Sequence, residues 1–127
     1  MDDALGPNDL EITRRMKASR ASVWRCLTEH ALMEQWFCPK PWRATNCVIE
    51  LRPGGRFSTV MRGPEGEVHD EGPGCILHVE PMTRLVWTSA LGPGWRPNLI
   101  PAAWFAMTAV MTLRDAEGGT LYTARAA

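Results

Sequence analysis

The sequence predicts an α+β fold: a curved, seven-stranded antiparallel sheet with two short helices inserted after the first strand. Three observations predict it. An opening segment alternates apolar and polar residues, helical spacing then appears once, and a strand-like pattern returns for the rest of the chain. Clusters of Gly and Pro divide that later part into short runs. Each connection between the runs is too short for a crossover helix, so neighbouring strands meander antiparallel.

Residues 1–9 carry Gly6, Pro7 and Asn8 and read as a flexible N-terminal arm, leaving residues 10–127 as a single domain. Leu10, Ile12 and Met16 alternate with Glu11, Thr13, Arg15 and Lys17, which makes a half-buried strand. Ser19 offers a side-chain oxygen to the first turn of a helix that places Val23 and Leu27 on one face. A second helical piece, residues 31–37, presents Leu32, Gln35 and Trp36 before Pro39 and Pro41 end it. Strands follow at residues 46–51 and 56–62, reversed by Pro53-Gly54-Gly55. A long extended stretch over residues 67–80 bends at Gly72-Pro73-Gly74, and residues 84–91 form the next strand. A loop with Gly92, Pro93, Gly94, Pro97 and Pro101 leads into a last pair, residues 103–114 and 120–126.

Composition narrows the function classes. The 127 residues carry fourteen basic and fourteen acidic side chains, so no net field draws the chain to nucleic acid or an anionic membrane. No apolar run reaches the roughly 20 residues of a membrane helix, and the acidic start leads into no export signal. The chain therefore reads as cytoplasmic. Cys26, Cys38, Cys47 and Cys75 form no C-x-x-C pair and are expected as reduced thiols, without metal. Tryptophan is the unusual feature: six, against three Phe and one Tyr, enough to fill a core or to line an apolar cavity.

Several motifs converge on one family. Val23-Trp24-Arg25-Cys26-Leu27-Thr28, Trp36-Phe37-Cys38-Pro39, Leu51-Arg52-Pro53-Gly54-Gly55-Arg56-Phe57, Met61-Arg62-Gly63-Pro64, Glu80-Pro81 and Arg84-Leu85-Val86-Trp87-Thr88 stand in its order and spacing. In these the chain resembles the activator of heat-shock protein 90 ATPase homologue-like family of the START/Bet v 1-like (SRPBCC) superfamily. The resemblance implies the helix-grip fold, in which a long C-terminal helix is gripped by the sheet. This chain is expected to lack that helix. It also departs from relatives at His78, where they often place Glu. Relatives that bind lipids, hormones or polyketides imply a small hydrophobic ligand held in the cavity. Chaperone-stimulating members imply the alternative of a chaperone contact, and a cavity-based cyclase or hydrolase-like enzyme is a third.

No catalytic or metal set is expected, and no cofactor. His69 and Asp70 are strand neighbours and point to opposite faces, and Cys75 and His78, three apart, do the same on a regular strand. The candidate ligand residues are apolar. Phe57, Thr59 and Met61 share a strand face. Trp87 shares one with Leu85 and Ser89, and Phe105, Met107 and Met111 share a third. Trp36, Trp42 and Trp95 come from helix ends and loops around the mouth. An open concave face would expose more apolar surface than a monomer tolerates, so either a further helix or a second copy is expected to cover it, the latter as a twofold homodimer through that face or the edge near Trp95, Trp104 and Phe105.

Overall fold

The computed structural model describes residues 5–70, 72–101 and 106–127. Strand β1 (Leu10–Met16) leads into helices α1 (Arg20–Thr28) and α2 (His30–Met33). Strands β2 (Arg43–Ile49), β3 (Arg56–Arg62), β4 (Val68–His69), β5 (Gly74–Glu80) and β6 (Arg84–Thr88) follow. A small hairpin, β7 (Leu91–Gly92) and β8 (Arg96–Pro97), precedes the long pair β9 (Thr108–Ala116) and β10 (Gly119–Ala126).

The main sheet runs β1-β10-β9-β6-β5-β3-β2, all antiparallel, with β4 added on β3. This is the expected meander, with β1 returning to pair the last strand. The helices carry the chain from one edge of the sheet to the other, which is why no later crossover is needed. The sheet curls around them as a half-barrel of the helix-grip type.

The path holds the expected seven strands, with changed limits. Residues 43–49 replace 46–51 because a bulge between Thr45 and Val48, with Asn46 at φ 52°, lets the strand start earlier. The stretch over residues 67–80 divides into β4 and β5. Pro73 has no N–H to give a ladder, so pairing stops before it. Strand β6 ends at Thr88, and the β7–β8 hairpin fills part of the Pro-rich loop. Residues 103–105 of the expected 103–114 strand lie outside the described residues. The described part extends to Ala116, and Gly118 at φ 78° permits the tight turn into β10.

Helix α1 begins as expected: Ser22 N donates to Ser19 Oγ at 3.2 Å, satisfying one of the free first-turn donors. Its last turn is held by Arg25 and Glu29, whose side chains meet at 2.6 Å. Val23, Trp24 and Leu27 face the sheet and, with Met33 of α2, form the core against Phe57, Ile76, Leu85, Met111, Leu113 and Tyr122. Ile76 and Leu85 are fully enclosed, each contributing about 1.5–3 kcal/mol of burial. Among the described residues α1 and α2 are the only α-helices. They cover the end of the concave face floored by Leu85 and Leu113 and leave the end at Ala109, Ala126 and Met107 open.

Candidate apolar groove

Side chains on the concave face follow from the register. Leu10 lies opposite Ala126, Ala126 opposite Ala109, Ala109 opposite Trp87 and Trp87 opposite Ile76, so this row crosses five strands on one face. The next row holds Ile12, Ala124, Met111 and Leu85. Small residues on β9 and β10 make a trough, and large ones on β6 and the helices wall it.

The wall is an aromatic series. Trp36 and Phe37 rings lie 6.0 Å apart, Phe37 and Phe57 6.3 Å, and Phe57 stacks on Trp87 at 4.2 Å with 19° between planes. Trp36 is fixed by its indole N–H, which donates to Cys26 O at 2.8 Å, a carbonyl near the end of α1. Its ring stays 43% exposed at the mouth.

Four adjoining cavities result, one of about 610 Å³ at the open end by Leu10, Met107 and Ala126. Another of about 270 Å³ lies between Leu10 and Ile12 on one side and Trp36, Phe37 and Trp87 on the other, floored by Ala109, Met111 and Ala124. One of about 210 Å³ lies beyond Trp87, lined by Phe57, Thr59, Met61, Ser89 and Met107. The fourth, of about 370 Å³, lies under α1 between Val23, Cys26, Trp36 and Tyr122. Trp87 and Phe37 line the cavities of about 270 and 210 Å³ and so form the partition between them.

Of the candidate residues, the structure brings together Trp36, Phe57, Thr59, Met61, Trp87, Met107 and Met111. Phe105 lies outside the described residues. Trp42 and Trp95 stand apart, lining none of these cavities. Trp42 is held in the loop before β2, where its N–H donates to Pro39 O at 3.1 Å. The Trp95 ring rests on Gly54, where a Cβ would come within 2.9 Å of it. Both were picked out as large aromatics, and nothing in the sequence says which way a loop aromatic turns. Sequence reasoning missed Ile12, Leu27, Met33, Phe37, Tyr122 and Ala124. The alternation Tyr122-Ala124-Ala126 was a usable signal for the last strand.

Polar groups at the groove are few. Glu11 and Arg125 line the first cavity and form an ion pair at 3.0 Å. Thr59 Oγ1 donates to Thr45 O at 3.2 Å. Buried Cys47 sits 3.6 Å from Met33 Sδ, and burial, with the nearby Glu34 carboxylate, pushes its thiol up to about 11. It is an inert thiol at neutral pH. Burial likewise pushes the Tyr122 hydroxyl and the Cys38 thiol up.

The histidines lie elsewhere. A bulge between Ile76 and His78 overturns the simple parity argument: Cys75 and His78 pair with Thr88 and Val86 and so share a face. Cys75 is nevertheless fully enclosed, while His78 reaches outward to Glu80 at 3.7 Å. The Asp70 carboxylate accepts the Gly72 N–H at 2.9 Å. Among the described residues no three His, Cys, Asp or Glu side chains are grouped to hold a metal ion. No helix among them is long and apolar enough to cross a membrane.

A family model described as Activator of Hsp90 ATPase homolog 1-like protein matches residues 17–127. No curated protein matches the chain. A crystal structure of a Nitrosomonas europaea protein is similar at 46% identity and a TM-score of 0.85, over 93% of this chain and 73% of that one. A Rhodobacter sphaeroides protein is similar at 26% identity and a TM-score of 0.75, over 93% and 71%. The AHSA1-like protein from Aeromonas hydrophila, at 19% identity and a TM-score of 0.73 over 94% and 74%, shares the fold.

Proposed function

The chain belongs to the Activator of Hsp90 ATPase homolog 1-like family, and from that premise we propose that it binds a small, flat, apolar molecule in the groove without chemistry of its own. The observation that carries this reading is the lining of the cavity beside Trp87. Aromatic and aliphatic side chains from both helices and four strands converge there, and the charged groups at its edge, Glu11 and Arg125, are paired with each other. Such a site supplies burial of apolar area and shape, with little polar recognition. General acid–base catalysis by histidine has no support here, since neither His69 nor His78 lines any of these cavities. The ligand reading keeps the chain at a site on its own surface and asks nothing of a chaperone.

Tryptophan emission tests the reading, because Trp36 and Trp87 both line the 270 Å³ cavity. Titration with an anilinonaphthalene dye should quench or shift that emission and saturate at one site per chain. Ala109→Phe, which fills the trough opposite Trp87, should weaken binding by about tenfold or more, since even a few buried methylene equivalents are worth that much. Equal binding by a folded Ala109→Phe variant would place the dye elsewhere and defeat the proposal.

A further inference from the structure

Strand β1 is an edge of the sheet. It pairs with β10 on one side, and among the described residues no backbone group pairs with it on the other. Leu10 to Arg15 are all exposed, with Leu10 at 73%. A seven-residue edge with alternating apolar residues is a template for another strand unless something blunts it.

Which of its backbone groups face outward follows from the ladder. Thr108 and Ala127 exchange both hydrogen bonds at 2.9 Å, so the odd residues of β10 bond β9 and the even ones turn toward β1. Through the register Leu10 to Ala126, the even residues of β1 are the bonded ones. The N–H and C=O groups of Glu11, Thr13 and Arg15 therefore point into the open edge. One of them, Thr13 O, accepts from the Arg14 guanidinium at 2.9 Å in the place a neighbouring strand would take.

The side chains of this edge form a charge palindrome. Glu11, Thr13 and Arg15 share the convex parity of β1, and Asp9 and Lys17 flank the strand at its two ends, acidic on one side of Thr13 and basic on the other. We propose that two copies of this chain associate through β1, antiparallel about a twofold axis at Thr13, so that their sheets become one. In that register Glu11, which within its own chain also pairs with Arg125, lies opposite the partner's Arg15, and Asp9 lies opposite the partner's Lys17, each pair occurring twice. On the concave side Leu10 meets the partner's Met16, and Ile12 the partner's Arg14. A register centred on Ile12 sets Glu11 against Thr13 and keeps only the Asp9–Arg15 pair, one centred on Arg14 sets the two Arg14 side chains together, and an in-register parallel pairing places like beside like throughout. The axis is perpendicular to the sheet, so both grooves open on the same side. Leu10 and Ile12, which line the 270 Å³ cavity, then stand at the seam. The association does not depend on what the groove binds.

Sedimentation velocity over a range of concentrations tests this on the chain and three variants. The wild-type chain should be a dimer that dissociates on dilution. Thr13→Pro removes an N–H that faces the open edge and takes no bond from β10, so it should give a folded monomer by circular dichroism. Arg15→Glu, a surface change that leaves the fold intact, should weaken the dimer by about tenfold or more, because two attractive cross-strand pairs become repulsive. Arg43→Glu, the same charge change on the far edge strand β2, should leave it unaltered. A wild-type chain that stays monomeric at the highest concentrations, or a dimer that survives Thr13→Pro and Arg15→Glu, would overturn the proposal. Equal weakening by Arg43→Glu would do the same, assigning the effect to net charge.

Discussion

Replacing Trp87 by Ala removes the partition between two cavities and part of the core at once. The ring is 9% exposed, stacks on Phe57 at 4.2 Å and lies in the row between Ala109 and Ile76. Truncating a buried aromatic costs about 3–5 kcal/mol through lost transfer free energy and the cavity left behind. Of this, about 0.5–1.5 kcal/mol belongs to the ring–ring contact with Phe57. Against a total stability of about 5–15 kcal/mol for a single domain, the variant should still fold but with a melting temperature lower by about 10–20 °C. Urea denaturation followed by circular dichroism reads the loss directly, with an unchanged slope showing that the two end states are the same. The cavities of about 270 and 210 Å³ become continuous in this variant, so a dye longer than the wild-type groove accepts should gain affinity even as stability falls. A loss below about 1 kcal/mol would mean that Trp87 is peripheral, and the description of the groove as two chambers around it would be refuted.

Ser19→Ala removes the acceptor of the Ser22 N–H and should cost about 1 kcal/mol, read from the same urea curves. Cys47 gives an alkaline signature: its folded thiol titrates at about 11 against an ordinary value of 9.0. The stability it confers is complete below the unfolded value and is lost as pH rises from about 9 to 11, by up to about 2 kcal/mol; melting temperatures across that range should fall, and less steeply in Cys47→Ala. Glu50 acts at the acid end. Its carboxylate accepts the Arg56 backbone N–H at 2.8 Å, which holds its pKa below the usual carboxylate range. The stability it confers is present above the unfolded value and lost as pH falls through the folded one, and Glu50→Gln should flatten the melting-temperature profile in that acid window.

Much of the fold was legible because it rests on local signals. The limits of β3 at residues 56–62, the Ser19 cap and the antiparallel meander follow from alternation, side-chain capping and connection length. The shared face of Phe57, Thr59 and Met61 follows in the same way, since a two-residue period needs only one fixed member to orient the others. The two bulges were not legible. A bulge depends on what the neighbouring strand offers, and nothing local marks Asn46 or the Ile76–His78 step as the place where register slips. The lining from the helices and the turn after them was missed for a related reason. Leu27, Met33 and Phe37 are ordinary core residues in sequence, and only the curl of the sheet beneath them turns their outer sides into a groove wall. Trp42 and Trp95 show the converse: size drew attention, yet neither lines these cavities, and the Trp95 ring lies on Gly54 instead.

The groove as a ligand site is tested most directly by mapping amide chemical shifts while an apolar aromatic probe is titrated into the isotope-labelled protein. The account predicts saturable shifts centred on Ile12, Trp87, Ala109, Met111 and Ala124, which line the same cavity on four strands. Shifts confined to the convex face, or no saturable shift at all, would contradict it.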